Sequence, residues 1–265
     1  MTSVSFDQFH VQKIGGEEQP QKLLYSVFKT LTDRTHKPVS NLLEEDDHTS
    51  LSEDESGELF IKQWAPAIKN QTKITQEAFV PFDHPHLSLH LRGDRTTMSA
   101  LREMSQSLCF NSQSIYETAD SYRMPVKDFN SCLEDFVYSR VVGFYSPEDD
   151  VDFKWTEQDR NEQLAASYSQ LIDFNAAREK GIAKELAQES LPQNLIINAT
   201  VTASLGDWLR LLERATLMRS SFEMKAIVDK IAEEIRKWVP EIYRWWYSGF
   251  EKKRAKKQQA KSIAA

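Results

Sequence analysis

From His84 to Leu91 the chain alternates, with Leu87, Leu89 and Leu91 on one side and His86, Ser88 and His90 on the other. A period of two belongs to an extended strand with one buried face, so this stretch calls for a sheet that covers an apolar layer. Gly93 reads as the break in that strand. Asp94 then stands where a carboxylate can accept from the free N–H groups of a helix start, and Met98, Leu101, Met104 and Leu108 recur behind it at helical spacing. Ahead of the strand, Pro81-Phe82-Asp83-His84 sets a carboxylate beside an imidazole in a turn. Behind the helix, Asn111, Ser112, Gln113 and Ser114 make a polar loop of short hydrogen-bonding side chains. Turn, strand, helix and polar loop can deliver side chains to a site without naming its ligand.

The flanking sequence is mostly helical in pattern. Residues 1–19 read as an arm or edge strand around Val11 and Ile14. Pro20 suits a helix start, followed by Leu23, Leu24, Val27, Phe28 and Leu31. Residues 44–58, EEDDHTSLSEDESGE, hold many acids and few apolar groups and read as a solvated or flexible insert. Trp64 and Ile68 are candidate core residues. Residues 126–142 carry a helical apolar face, as do Leu164, Tyr168, Leu171 and Ile172, continuing through Ile182 and Leu186 with a bend at Gly181. Residues 146–162 read as a surface connection. Residues 195–203 are β-branched, and strand, extended loop and helix start all stay open there. Helices follow over 205–215 and 222–239, stopped or kinked by Pro240. Trp245, Trp246, Tyr247 and Phe250 form an aromatic end that needs packing partners, and a basic tail closes the chain. This gives one domain over 1–250 with an acidic insert at 44–58, and a tail over 251–265.

Composition sets limits. The net charge of −7 gives no general reason to bind nucleic acid. Two cysteines, Cys109 and Cys132, in apolar surroundings read as reduced core thiols. The N-terminus lacks the basic and apolar regions of a signal peptide, and no stretch approaches the roughly 20 apolar residues of a membrane span. A soluble cytoplasmic protein without membrane attachment is expected. There is no phosphate-binding glycine loop, no paired-cysteine motif and no nucleophile elbow. His84, His86 and His90 share a strand face, but six residues of extended chain span about 20 Å, too far for one metal. They read as polar groups of a sheet face, and no metal is assigned. Arg92, Arg95 and Arg102 suit either a phosphate or a solvated face. Ser114 has no histidine at a recognisable spacing and reads as a hydrogen-bond donor rather than a nucleophile.

Two stretches together resemble the flavin-dependent thymidylate synthases. That family carries a PFEH-like turn, an alternating strand, a helix and the motif RHRxxSxNExSxRY. Pro81-Phe82-Asp83-His84 matches the turn with Asp for Glu. Counted on without a gap, Met104-Ser105-Gln106 falls on RHR, Cys109 on the first Ser, Asn111 on Asn, Ser112 on Glu, Ser114 on the second Ser and Tyr116 on Arg. In the second stretch Ala187-Gln188 and Leu191-Pro192 match ARxxLP with Gln for Arg. Ser204 falls on an Asn, Trp208 on a frequent Trp and Arg214-Ala215 on Leu-Arg. Ser221, Glu223 and Lys225 fall on the Gln, Glu and Arg of AQxEIR. The resemblance implies an α+β fold, helix-rich, with a sheet flanked by long helices. It further implies a homotetramer with sites between subunits, FAD as cofactor, and transfer of a one-carbon unit from methylenetetrahydrofolate to dUMP, a methyltransferase step of nucleotide biosynthesis. On this resemblance Ser114 and Arg214 are the catalytic candidates, and Asp83, His84 and Asn111 the cofactor-binding ones.

The departures are of one kind. Met104, Ser105, Gln106, Tyr116, Gln188 and Ala215 replace the cations that the family sets against flavin and nucleotide phosphate. Arg102, Arg210, Arg214 or Arg219 can supply a charge from a neighbouring position, Arg214 by a shift of one residue. Three readings stay open. The chain is a divergent enzyme acting on a pyrimidine nucleotide with a rebuilt anion site. Or it is a non-catalytic family member, a structural or regulatory oligomer subunit that assembles with an active paralogue. Or it is a helix-rich binding protein whose patterns coincide with the family's.

Overall fold

The computed structural model describes residues 9–32, 51–69, 80–105, 107–112, 137–138, 143–145, 153–217 and 221–264. Among them the chain runs β1 (His10–Gly16), α1 (Pro20–Thr32), α2 (Glu53–Lys69), α3 (Val80–Asp83), β2 (His86–Asp94), α4 (Arg95–Met104), β3 (Cys109–Ser112), β4 (Gly143–Tyr145), β5 (Phe153–Trp155), α5 (Glu157–Glu179), α6 (Lys184–Ala187), a 3₁₀ turn (Gln188–Ser190), β6 (Ile196–Ser204), α7 (Leu205–Leu217), α8 (Phe222–Trp238) and α9 (Pro240–Ala264). The class is α+β: helices and a four-stranded antiparallel sheet in the order β1-β2-β6-β3, with β4 and β5 a separate antiparallel pair. No helix among the described residues is long and apolar enough to cross a membrane.

The alternation read in the sequence holds in β2. Leu87, Leu89 and Leu91 are buried, His86 is exposed, and Ser88 and His90 are half-buried. β6 repeats the pattern, burying Ile197, Ala199, Val201 and Ala203. The Ser88 and Thr202 hydroxyls meet at 2.7 Å. Arg95 N donates to the Leu195 carbonyl, and Leu205 N to the Pro85 carbonyl, so β2 and β6 run antiparallel. Each passes into a helix with no loop. Asp94 Oδ1 accepts from Thr97 N at 3.0 Å, and Ser204 Oγ accepts from Asp207 N at 3.2 Å, so each junction residue satisfies one of the N–H groups left over at a helix start. Gly93 does not break the strand, which continues to Asp94. A Cβ at Gly93 would lie 2.9 Å from the Phe9 ring, so glycine serves close packing here.

Other expectations change in physical detail. Asn111 and Ser112 belong to β3, at the sheet edge beside β6, rather than to a loop. Cys109 is exposed there, not in the core. Val137 makes an antiparallel bridge with Leu195 in place of the expected helix. The long helix ends at Glu179 because Gly181 takes φ +80°. Ile182 and Leu186 then lie exposed, at 38% and 62%. Tyr138 is buried; Ile68, Cys132 and the rest of 126–142 lie outside the residues whose side chains are described.

The chain divides into two compact units, one of residues 1–12, 89–201 and 214–230, the other of 13–88, 202–213 and 231–265. In the first, Leu171, Phe174, Ala187, Leu191, Leu195 and Val137 form a buried cluster under α5. In the second, Phe60 stacks on Trp64 at 5.3 Å, Phe28 meets Phe60 edge-on, and Phe82 fits edge-on against both Phe60 and Trp64. Trp245 closes on Trp64 at 4.9 Å, and Phe250 is buried, so part of the aromatic end packs within the chain.

The acidic run also has a folded part. Glu53–Glu58, expected in a solvated insert, form the first turns of α2, while 44–50 lie outside the described residues. Ser52 and Glu55 cap that helix reciprocally, and three acids in its first turn suit the positive end of the helix dipole. Glu53 reaches further: its carboxylate accepts from Gln21 N and Lys22 N, the first N–H groups of α1 after Pro20. Glu53→Ala leaves both donors without this acceptor and is expected to cost about 1–2 kcal/mol. Urea unfolding of the two proteins checks it, and an unchanged midpoint would remove this cap from the account.

Candidate functional site

Phe82 positions the Pro81–His84 turn. Its ring is 2% exposed in the aromatic cluster, which leaves Asp83 and His84 exposed beside it. The start of α7 completes this seat. A Cβ at Gly206 would lie 3.1 Å from Asp83 Oδ1 and 3.3 Å from Phe82 Cβ, so a side chain there would press on the turn. Arg210, one turn along α7, stands 2.8 Å from Asp207 and 3.6 Å from Asp83. Both pairs are partly exposed and contribute little stability, but they decide one question. The Arg210 guanidinium already faces two carboxylates and is a poor replacement for a lost phosphate ligand.

Beside the turn lies a cleft of about 390 Å³ lined by Gly16, Glu17, Glu18, His84, His86 and Ser88. His86 Nδ1 is 2.8 Å from the His84 carbonyl. A carbonyl only accepts, so Nδ1 carries the proton, and Nε2 accepts when the ring is neutral. Two glutamates in the lining disfavour a diphosphate. The Asp83–His84 turn suits neutral polar edges, such as hydroxyl or ring N–H groups. Among the described residues no group of three or more metal-ligating side chains comes together.

The other candidates fall in the other unit. Arg214, exposed in the last turn of α7, donates from Nη1 to the Met104 carbonyl at 2.6 Å. Met104 ends α4, so the guanidinium sits at the negative end of that helix and satisfies one of its last carbonyls. In the resemblance drawn from the sequence, Met104 falls on the first arginine of the motif. A guanidinium carries five N–H donors in a planar fork, enough to hold this carbonyl and an anion together. Ala215, one residue on, is 6% exposed, so a cation at that position would enter the core. A shift of one residue, about 100° around the helix, turns Arg214 outward.

Ser105 is buried, with its hydroxyl 3.0 Å from that of Ser107. Gln188 is half-buried in the 3₁₀ turn. Asn111 is exposed on β3, its amide 3.7 Å from Cys109 Sγ. Asn111 and Arg214 each carry N–H donors of the kind that anionic oxygens take. Ser114, Gln106, Tyr116 and Arg219 lie outside the described residues.

Sequence reasoning missed the role of Asp207 and the glutamates of the cleft. Ser204-Leu-Gly-Asp207 is a capping pattern, a hydroxyl followed three residues later by an acid, and would have marked the start of α7. Nothing local marks Glu17 and Glu18 as neighbours of His84.

The family model for thymidylate synthase complementing protein matches residues 17–241. Among solved structures, the UMP/dUMP methylase PolB from Streptomyces cacaoi, bound with 5-Br dUMP, superposes with a TM-score of 0.62 at 12% identity, over 91% of this chain and 95% of that one. Thymidylate Synthase X from Helicobacter pylori, with FAD and dUMP, gives 0.61 at 11% identity, over 90% and 98%. Sequence comparison with curated proteins gave no match.

Proposed function

The chain belongs to the flavin-dependent thymidylate synthase family, and from that premise we propose that it transfers a one-carbon unit to a dUMP-like pyrimidine nucleotide at an anion site rebuilt around Arg214. The observation that carries this reading is the Arg214–Met104 contact, which sets a cation at the first of the vacated motif positions. In this reading Arg214 forks onto the nucleotide phosphate, and Ser114 donates to a nucleotide oxygen. Asn111, Asp83 and His84 are proposed as cofactor-binding residues on the family resemblance alone. FAD is the proposed cofactor and, reduced, supplies the electrons of the transfer; a folate carries the carbon. What supports FAD is family membership and the flavin and dUMP named with the Helicobacter pylori relative. A homotetramer in the cytoplasm is proposed on the family resemblance alone.

The visible absorption spectrum of the purified protein, before and after addition of FAD, tests this. A protein-perturbed flavin spectrum is expected, with tighter uptake when dUMP is present. An unchanged free-flavin spectrum at saturating FAD would overturn the flavoenzyme reading and turn attention to a non-catalytic subunit.

A further inference from the structure

The helix α9 changes character halfway along. Its first half carries Tyr243, Trp246, Tyr247 and Phe250, and its second half Lys252, Lys253, Arg254, Lys256, Lys257 and Lys261. The rings form a ladder: Tyr243 stacks on Tyr247 at 5.9 Å, and Trp246 on Phe250 at 5.6 Å. Phe250 is buried and backs the ladder, while Trp246 is half-buried and Tyr247 is 47% exposed. Alternating steps of four and three residues run from Tyr243 through Tyr247 and Phe250 to Arg254, Lys257 and Lys261. Such steps stay on one side of an α-helix. Rings and cations therefore lie in series along one stripe of one continuous helix.

The charge of this segment opposes that of the rest. The chain carries −7, yet residues 251–265 hold six cations and one acid, a local +5 that leaves −12 for the remainder. A polyanion is attracted to the tail and repelled elsewhere, which confines its contact to this helix. Three kinds of polyanion then compete. An anionic bilayer needs an apolar face to take in, and over 251–262 the only apolar residues are two alanines. An acidic peptide pairs with the cations and leaves the rings unused. A single-stranded nucleic acid uses both, because its unstacked bases lie on aromatic rings while its phosphates pair with Lys and Arg. A duplex keeps its base faces inside its own stack and gains nothing from the rings.

We propose that α9 is a binding strip for single-stranded nucleic acid, with bases stacked on Tyr247 and Trp246 and the phosphate backbone following the basic half of the helix. The contact reads no sequence, since every base has a face to stack and every phosphate the same charge. It does not depend on the reaction proposed above.

Fluorescence anisotropy of a dye-labelled oligouridylate, titrated with the full chain at several salt concentrations, tests the strip. The logarithm of the affinity should fall with the logarithm of salt at a slope on the order of −4 when all six tail cations meet phosphates. Replacing those six by Gln should flatten the slope and abolish binding at low salt. Tyr247→Ala should weaken binding about tenfold with the slope unchanged, and Tyr247→Phe, which keeps a ring, should bind as the native protein does. The exposed Tyr247 and the tail lie outside the buried core, and equal melting temperatures check that the variants stay folded; if the Ala variant melts early, the Gln variant decides alone. Absence of binding at low salt, native affinity in the Gln variant or in a folded Tyr247→Ala, or equal affinity for a duplex of the same length would overturn the proposal. So would tighter binding of phosphatidylserine vesicles or of an acidic peptide, which would assign the helix to a membrane or to a partner protein.

Discussion

Trp208→Ala is expected to remove about 3–5 kcal/mol of stability, a large share of the about 5–15 kcal/mol that a domain of ordinary stability possesses. Trp208 is fully buried in α7, and its indole N–H donates to the Leu87 carbonyl at 3.2 Å. The residue thus does two things at once, filling the layer under β2 and pairing a buried carbonyl of that strand. Trp208→Phe separates them. It keeps most of the apolar area and strands the carbonyl, for about 1–3 kcal/mol. Urea unfolding should therefore order the midpoints as native, then Phe, then Ala, with the Ala variant partly unfolded without denaturant. Equal midpoints for native and Phe would show that the indole hydrogen bond contributes nothing. Equal midpoints for Phe and Ala would refute the packing argument.

How much of this was readable in sequence depends on the range of each interaction. The face of β2, the cap at Asp94, the helix start at Pro20 and the Trp208 face of α7 are local patterns of period two, of period 3.6, or of single residues at element ends. They emerged at nearly the right positions. β6 stayed ambiguous because a short β-branched run between a proline and a helix looks alike as loop or strand until its partner is known. Cys109 and Asn111 were misplaced for the same reason, since an edge strand of four residues has too few positions to show a period. The acidic run misled because its composition speaks for solvation, while Glu53 acts on a helix start in another part of the sequence. The contact that matters most for the proposed site, Arg214 with Met104, joins residues 110 positions apart. No local rule reaches it. What the sequence did show was the vacancy that Arg214 meets, because the motif alignment fixed which cations were missing.

That vacancy gives the largest expected effect on activity. With dUMP, methylenetetrahydrofolate and reduced nicotinamide cofactor, thymidylate formation should be at least about 100-fold slower than for a thymidylate synthase with the full motif. A charge-assisted hydrogen bond is worth about 1.5–3 kcal/mol. With Arg214 restoring one of the six vacated cations, even two bonds left unreplaced remove about 3–6 kcal/mol, two to four decades in binding at about 1.4 kcal/mol each. Arg214→Ala should remove about one further bond, a loss of about 10- to 100-fold in kcat/KM. Arg214→Lys, which keeps the charge and loses the fork, should fall between. The same guanidinium also tends the end of α4, a role worth about 0.3–1 kcal/mol. A purely structural residue would lower the melting temperature and leave kcat/KM of the remaining folded protein unchanged. Loss of dUMP turnover in Arg214→Ala at a temperature where both proteins are folded assigns the cation to the substrate. A native rate equal to that of the full-motif enzymes would mean that other cations fill the site, and the reading centred on Arg214 would fall.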